Sequence, residues 1–174
     1  MEDYSHLKAK IREVKNFPID GVDFKDITPL LEDKESFRKT VEGISEFFKD
    51  ERIDKVVGID ARGFLLASAV AYLLSAGMVV ARKKGKLPWE TIVREHDLEY
   101  GRGALEIHTD AVKNGERVLV IDDVLATGGT AEAAAGLVEE LGGSVVGIGF
   151  LLELSLGGRE RLKKYNTKSL VQYV

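Results

Sequence analysis

Two carboxylates, Asp122 and Asp123, stand side by side directly after the apolar run Val118-Leu119-Val120-Ile121 and directly before Val124-Leu125-Ala126-Thr127-Gly128-Gly129-Thr130. A short, mostly β-branched run of this kind predicts a buried parallel strand, and the alanine-rich pattern from Thr130 to Leu141 predicts a helix behind it. The loop between them therefore lies outside the carboxyl end of a strand and at a helix N-terminus, the place where α/β sheets bind ligands. Gly128 and Gly129 let the main chain turn with its N–H groups outward, Thr127 and Thr130 add hydroxyls, and the helix contributes partial positive charge. Such a loop is built to hold a phosphate. The two acids would repel that phosphate unless something separates them, and a sugar phosphate does so. The loop takes the 5′-phosphate, while Asp122 and Asp123 accept hydrogen bonds from the ribose 2′- and 3′-hydroxyls.

The stretch lacks the lysine of a Walker A loop, and no G-x-G-x-x-G occurs in the chain, which argues against nucleoside triphosphates and dinucleotides. Val118 to Thr130 instead resembles the 5-phospho-α-D-ribose 1-diphosphate (PRPP) signature of the type I phosphoribosyltransferases, and its Leu125–Thr130 half is similar to the form found in the adenine-using members. The resemblance implies that Ala126, Thr127, Gly128, Gly129 and Thr130 hold the PRPP phosphate and that Asp122 and Asp123 act on the ribose.

Four more stretches in the same order carry the resemblance, which extends from Phe17 through Leu154. Asp60-Ala61-Arg62-Gly63 resembles the family's diphosphate loop, with Arg62 and nearby N–H groups meeting the leaving diphosphate and the Asp60–Ala61 peptide often cis. Arg82-Lys83-Lys84-Gly85-Lys86 is a knot of cations in a chain of formal net charge −4. By resemblance Arg82 and Lys86 serve diphosphate in their own subunit, and Lys83 reaches across a homodimer interface; Lys84 receives no role. Phe17 to Pro29 is similar to the hood over the base, which places Phe24 on one face of adenine, main-chain groups around Asp23 and Lys25 at its edge, and Leu154 on the other face. Glu99-Tyr100-Gly101 resembles the tip of the lid, Glu99 matching the acid assigned to the purine proton. The implied reaction is that of purine salvage, adenine plus PRPP giving AMP and diphosphate, with Mg²⁺ carried in on PRPP rather than held directly by the protein.

These groups need a frame. Lys55–Ile59, Met78–Ala81, Val118–Ile121, Ser144–Leu154 and Ser169–Tyr173 read as strands, and Ser36–Lys49, Gly63–Leu74, Thr130–Leu141 and Gly157–Lys164 as helices, the second of them ended by Gly77. The expected fold is α/β: a mainly parallel twisted sheet with helices on both faces, a small N-terminal hood over residues 17–31, and a flexible β-hairpin lid within residues 83–110. Asp3–Val14 reads as an amphipathic helix packed on this body, Thr91–Val93 and Ala104–His108 as the lid strands, and Phe17–Pro29 as a loop that its prolines and glycine keep free of regular structure. At 174 residues with 44% hydrophobic side chains, one domain is expected.

Composition excludes several functions. The acidic balance gives no reason to expect nucleic-acid binding, and no run of apolar residues is long enough to span a membrane, so a cytoplasmic protein is expected. Without cysteine there can be no thiolate nucleophile or disulfide. His6, His96 and His108 have no acid or hydroxyl at motif spacing for a triad or a metal site. Two rival readings stand: a transferase for a 6-oxopurine, xanthine or orotate, sharing the phosphate loop but not the hood, and a non-catalytic PRPP-binding regulator, which would normally add a DNA-binding domain.

Overall fold

A computed structural model of the chain describes residues 4–97 and 101–173. Glu99 and Tyr100, singled out above, and Asp3 of the expected first helix lie outside the described residues.

A 3-10 helix, Ser5–Lys10, leads to two short strands, β1 (Arg12–Val14) and β2 (Phe24–Asp26), and to helices α1 (Thr28–Glu32) and α2 (Lys34–Glu46). The body then alternates β3 (Lys55–Ile59), α3 (Gly63–Leu73) and β4 (Gly77–Lys83), crosses the hairpin β5 (Thr91–Asp97) and β6 (Arg102–His108), and resumes with β7 (Arg117–Leu125) and α4 (Gly129–Glu140). It closes with β8 (Ser144–Leu154), α5 (Gly158–Arg161) and β9 (Thr167–Tyr173). Among the described residues, β3 to β9 form one sheet in the order β5-β6-β4-β3-β7-β8-β9; β4, β3, β7, β8 and β9 run parallel, and β5 and β6 join antiparallel at one edge.

Alternation along the parallel strands sends side chains to two separate cores. Val57, Ile59, Val118, Val120, Ile148 and Phe150 pack under α4. Val56, Leu119, Ile121, Leu151 and Val171 pack under α2 and α3. Such two-sided burial is why these strands read as near-continuous apolar runs. All parallel strands deliver their carboxyl ends to the same rim, and three of the expected phosphate-directed stretches begin there: Asp60 after β3, Arg82 at the end of β4, and Asp122 in β7. No helix among the described residues is long and apolar enough to cross a membrane.

Several expectations need correction. The expected Asp3–Val14 helix is a 3-10 helix followed by a strand, because Arg12–Val14 pairs antiparallel with Phe24–Asp26 and two cross-strand ion pairs, Glu13 with Lys25 and Arg12 with Asp26, tie the ribbon together. The Phe17–Pro29 stretch therefore does hold regular structure: β2 occupies its end, and α1 begins with Pro29 in its first turn, where a missing N–H does no harm. α3 stops at Leu73, with Ser75 taking the left-handed turn, and Gly77 opens β4 instead of ending the helix. β7 continues past Ile121 to Leu125, so both acids belong to the strand. The lid strands are longer than predicted at seven residues each, whereas α5 is shorter.

Candidate active site

The loop after β7 is stabilised from behind. Gly128 caps α4 at φ +81°, a left-handed conformation that a side chain resists. A Cβ there would lie 3.1 Å from the carbonyl oxygen and 3.2 Å from the Cα of Gly158. Gly158 in turn donates its N–H to the Ala126 carbonyl at 3.0 Å, and a Cβ on Gly158 would overlap that same oxygen. The loop thus rests on the first turn of α5, main chain against main chain. No side chain caps α4, so its first N–H groups remain available to an anion. A cavity of about 180 Å³ opens against Ala126, Thr127, Gly128 and Thr130.

Beside it lies a larger cleft of about 940 Å³, lined by Asp23, Phe24, Lys25, Asp60, Ala61, Arg62, Lys83, Asp122, Asp123, Ala126, Thr130 and Leu154 among others. Of the residues that the sequence singled out, these come together at one rim. Arg82 and Lys86 stand beside the cleft rather than in its lining: Arg82 pairs with Asp60 at 3.4 Å and donates to the Lys86 carbonyl at 3.0 Å. Lys83 lines the cleft of its own chain.

The acid pair is electrostatically tense. Asp123 is 4% exposed, and Asp122 is half-buried and lines both cavities. Burial pushes the Asp122 carboxyl well above the ordinary carboxylate range, and the charge of Asp123 pushes it further. Burial also raises Asp123, against the pull of the Arg62 guanidinium. Arg62 Nε approaches Asp123 Oδ2 to 2.7 Å but off the N–H axis, so that oxygen has no hydrogen-bond donor. Asp122 Oδ1 accepts the Asp123 N–H at 2.9 Å, and Gly63 at the start of α3 leaves it room: a Cβ there would stand 2.8 Å away.

Arg62 has a second partner. Its guanidinium lies 4.8 Å above the centre of the Phe24 ring, and Phe17 meets that ring edge-on at 5.3 Å. The Asp60–Ala61 peptide just before it is cis. Lys25 turns its amine away to Glu13 and to the Tyr173 ring, 4.9 Å from its centre, which leaves the main chain of this segment as its contribution to the cleft.

Sequence reasoning missed Lys84, His96 and Arg102, which also line the cleft, and the supporting glycine Gly158. Lys84 had a signal in its cation cluster. His96 lies on β5 and Arg102 on β6, and only the folded hairpin shows that they face inward.

Residues 29–172 match the family model described as "Phosphoribosyl transferase domain", and the chain belongs to that family. Within it, the chain belongs to the adenine phosphoribosyltransferases. It is 56% identical over 169 residues to the adenine phosphoribosyltransferase of Alkaliphilus metalliredigens, covering 97% of this chain and 99% of that one. The crystal structure of adenine phosphoribosyltransferase from Thermoanaerobacter pseudethanolicus superposes with a TM-score of 0.93 at 47% identity, covering 97% of this chain and 98% of that one. The Giardia lamblia enzyme complexed with 9-deazaadenine superposes with a TM-score of 0.94 at 33% identity, covering 100% and 99%.

Proposed function

We propose that this chain transfers the 5-phosphoribosyl group of PRPP to adenine, forming AMP and releasing diphosphate. The observation that carries the reading is the juxtaposition of an acid pair, Phe24 and Leu154 in one cleft with an uncapped glycine loop in the cavity beside it. The loop Ala126–Thr130 takes the 5′-phosphate, which fixes the far end of the substrate. Asp122 and Asp123 accept from the ribose hydroxyls, and their negative charge favours the positive charge that develops at the anomeric carbon as the diphosphate leaves. Arg62, Lys83 and Lys84, with Arg82 and Lys86 beside them, offset the charge that grows on the diphosphate. Arg62 reaches it by giving up Asp123 and the Phe24 face, and that face is then free for the base, with Leu154 opposite.

Adenine selectivity follows from the main chain around Asp23 and Lys25. A C=O toward the 6-amino group and an N–H toward N1 suit adenine and oppose a 6-oxopurine, at about 1–3 kcal/mol per unpaired buried group. Glu99 and Tyr100 complete the reading as proton-handling acid and lid tip over the closed site, and residues 17–31 and 83–110 act as hood and lid within a single domain. A hard ion bound largely by phosphate oxygens and water needs few protein ligands, and Mg²⁺ is therefore taken to arrive with PRPP, where it would supply charge neutralisation on the diphosphate.

The test is AMP formation from PRPP and Mg²⁺ with adenine, run beside hypoxanthine, guanine, xanthine and orotate. Turnover with adenine alone is expected. Turnover with a 6-oxopurine would overturn the base slot, and PRPP binding without turnover would move the protein to the regulators.

We also propose a homodimer in the cytoplasm, where PRPP, a highly charged and membrane-impermeant substrate, is held. α3 and the start of β4 expose Leu65, Tyr72, Leu73 and Met78, with Tyr72 at 85%. This face is continuous with the site, because α3 springs from the Arg62 turn and β4 ends at Lys83. A second copy seated there brings Lys83 within reach of the neighbouring cleft. Tyr72→Glu is expected to give single chains on analytical ultracentrifugation and to lower activity; a dimer unaffected by the change would place the interface elsewhere.

A further inference from the structure

Glu106 is a charged residue in a place where charge is costly. It lies on β6 directly opposite Arg82 of β4 and is only 4% exposed. Its Oε1 accepts the main-chain N–H groups of Lys86 at 2.8 Å and Leu87 at 2.7 Å, and its Oε2 faces the Thr91 hydroxyl at 3.4 Å. Burial alone would raise this carboxyl, but the main-chain donors of Leu87, Gly85 and Lys86 outweigh it and hold the group below the ordinary range, so it is ionised at neutral pH.

The segment it grips is the cation turn. Lys84 donates its N–H to the Ala104 carbonyl at 2.9 Å, Gly85 takes φ +83°, and Arg82 reaches back to the Lys86 carbonyl at 3.0 Å. Without the Glu106 contacts, two adjacent N–H groups of a turn carrying three lysines and flanked by an arginine would have no acceptor inside the protein. The mutual repulsion of those cations would then open the turn outward. The buried carboxylate supplies the acceptor that holds both N–H groups in place against that repulsion.

We propose that Glu106 is a positioning residue for phosphoribosyl transfer: it fixes the Arg82–Lys86 turn in the form that presents Lys83 and Lys84 to the diphosphate, and it does so through the main chain without touching substrate. The inference rests on the diphosphate role given to that turn above. Its signature is a selective one, because the adenine slot and the phosphate loop draw nothing from this contact.

Two conservative variants separate reach from charge. Glu106→Gln keeps a carbonyl oxygen where Oε1 stands and loses the charge; Glu106→Asp keeps the charge and falls short of the two N–H groups. If positioning is the role, Glu106→Asp raises KM for PRPP about tenfold or more, as expected for losing hydrogen bonds to a charged acceptor, while KM for adenine stays within about twofold. Glu106→Gln stays near wild type in both. Calorimetric titration with inorganic diphosphate should show the same ranking without any turnover. An unchanged KM for PRPP in Glu106→Asp, or equal losses for both substrates, overturns the proposal. Impairment of Glu106→Gln with a normal Glu106→Asp overturns it too, in favour of charge alone. Wild-type turnover, measured alongside, tests the reaction itself, so a failure of the reaction and a failure of this inference are told apart.

Discussion

Changing Asp123 to Asn is expected to lower kcat/KM with adenine and PRPP by about 10²–10³-fold, the scale seen when one group that stabilises transition-state charge is removed. The amide keeps the shape and can still accept from a ribose hydroxyl. It cannot oppose positive charge at the anomeric carbon. Stability should move the other way. Because burial holds the Asp123 carboxyl above its unfolded value, folding favours the protonated form, and the stability this gives is present below the unfolded pKa and lost as pH rises through the folded one. Ionising Asp123 in the folded protein therefore places an unfavourable buried charge next to Asp122, eased only in part by Arg62. Thermal unfolding should find Asp123→Asn equal to wild type near the unfolded pKa of about 3.9 and more stable at pH 7. Equal losses of activity and stability would show that Asp123 holds the fold rather than the ribose.

The second large effect belongs to Gly128. Its left-handed φ and the 3.1 Å approach to the Gly158 carbonyl leave alanine no comfortable arrangement. The backbone term alone is about 1–2 kcal/mol, and the neighbouring contact is main chain that cannot swing aside. Gly128→Ala should therefore lower the unfolding temperature and, by moving the first N–H groups of α4, raise KM for PRPP by about tenfold or more. KM for adenine should change far less. A variant with wild-type KM for PRPP would show that the phosphate does not rest on this loop.

These two predictions draw on features of unequal visibility. The glycine turn after β7 and most of the strands were legible because their signals are local: Lys55–Ile59 and Ser144–Leu154 are the observed strands to the residue, whereas β7 runs on through the acids. Strands buried on both faces leave continuous apolar runs, and glycines at a strand-to-helix turn leave a short, specific string. The N-terminal ribbon was not legible, since three-residue strands have no periodicity to read and depend on pairing between Glu13 and Lys25 across a turn. Arg62 over Phe24 was equally hidden: each residue was found, but a cation–π contact between distant segments has no sequence signature. Glu106 looked like any alternating polar residue of a hairpin, and its burial exists only because the cation turn folds back over it.

Leu154 lines the cleft at the end of β8, and Gly158, which bears on Gly128 and Ala126, follows after only Ser155, Leu156 and Gly157. That link is pinned along its length, by the Ser155 hydroxyl on the Tyr173 carbonyl at 3.1 Å and by Arg159 on Glu153. On the proposed reading, one short strap of main chain joins the wall of the base slot to the floor of the phosphate cradle, and its fixed length serves as a gauge. On that reading, a nucleotide whose base and phosphate are one methylene too far apart can engage either end of the gauge but not both, so the protein sorts its product by span as well as by the identity of the base.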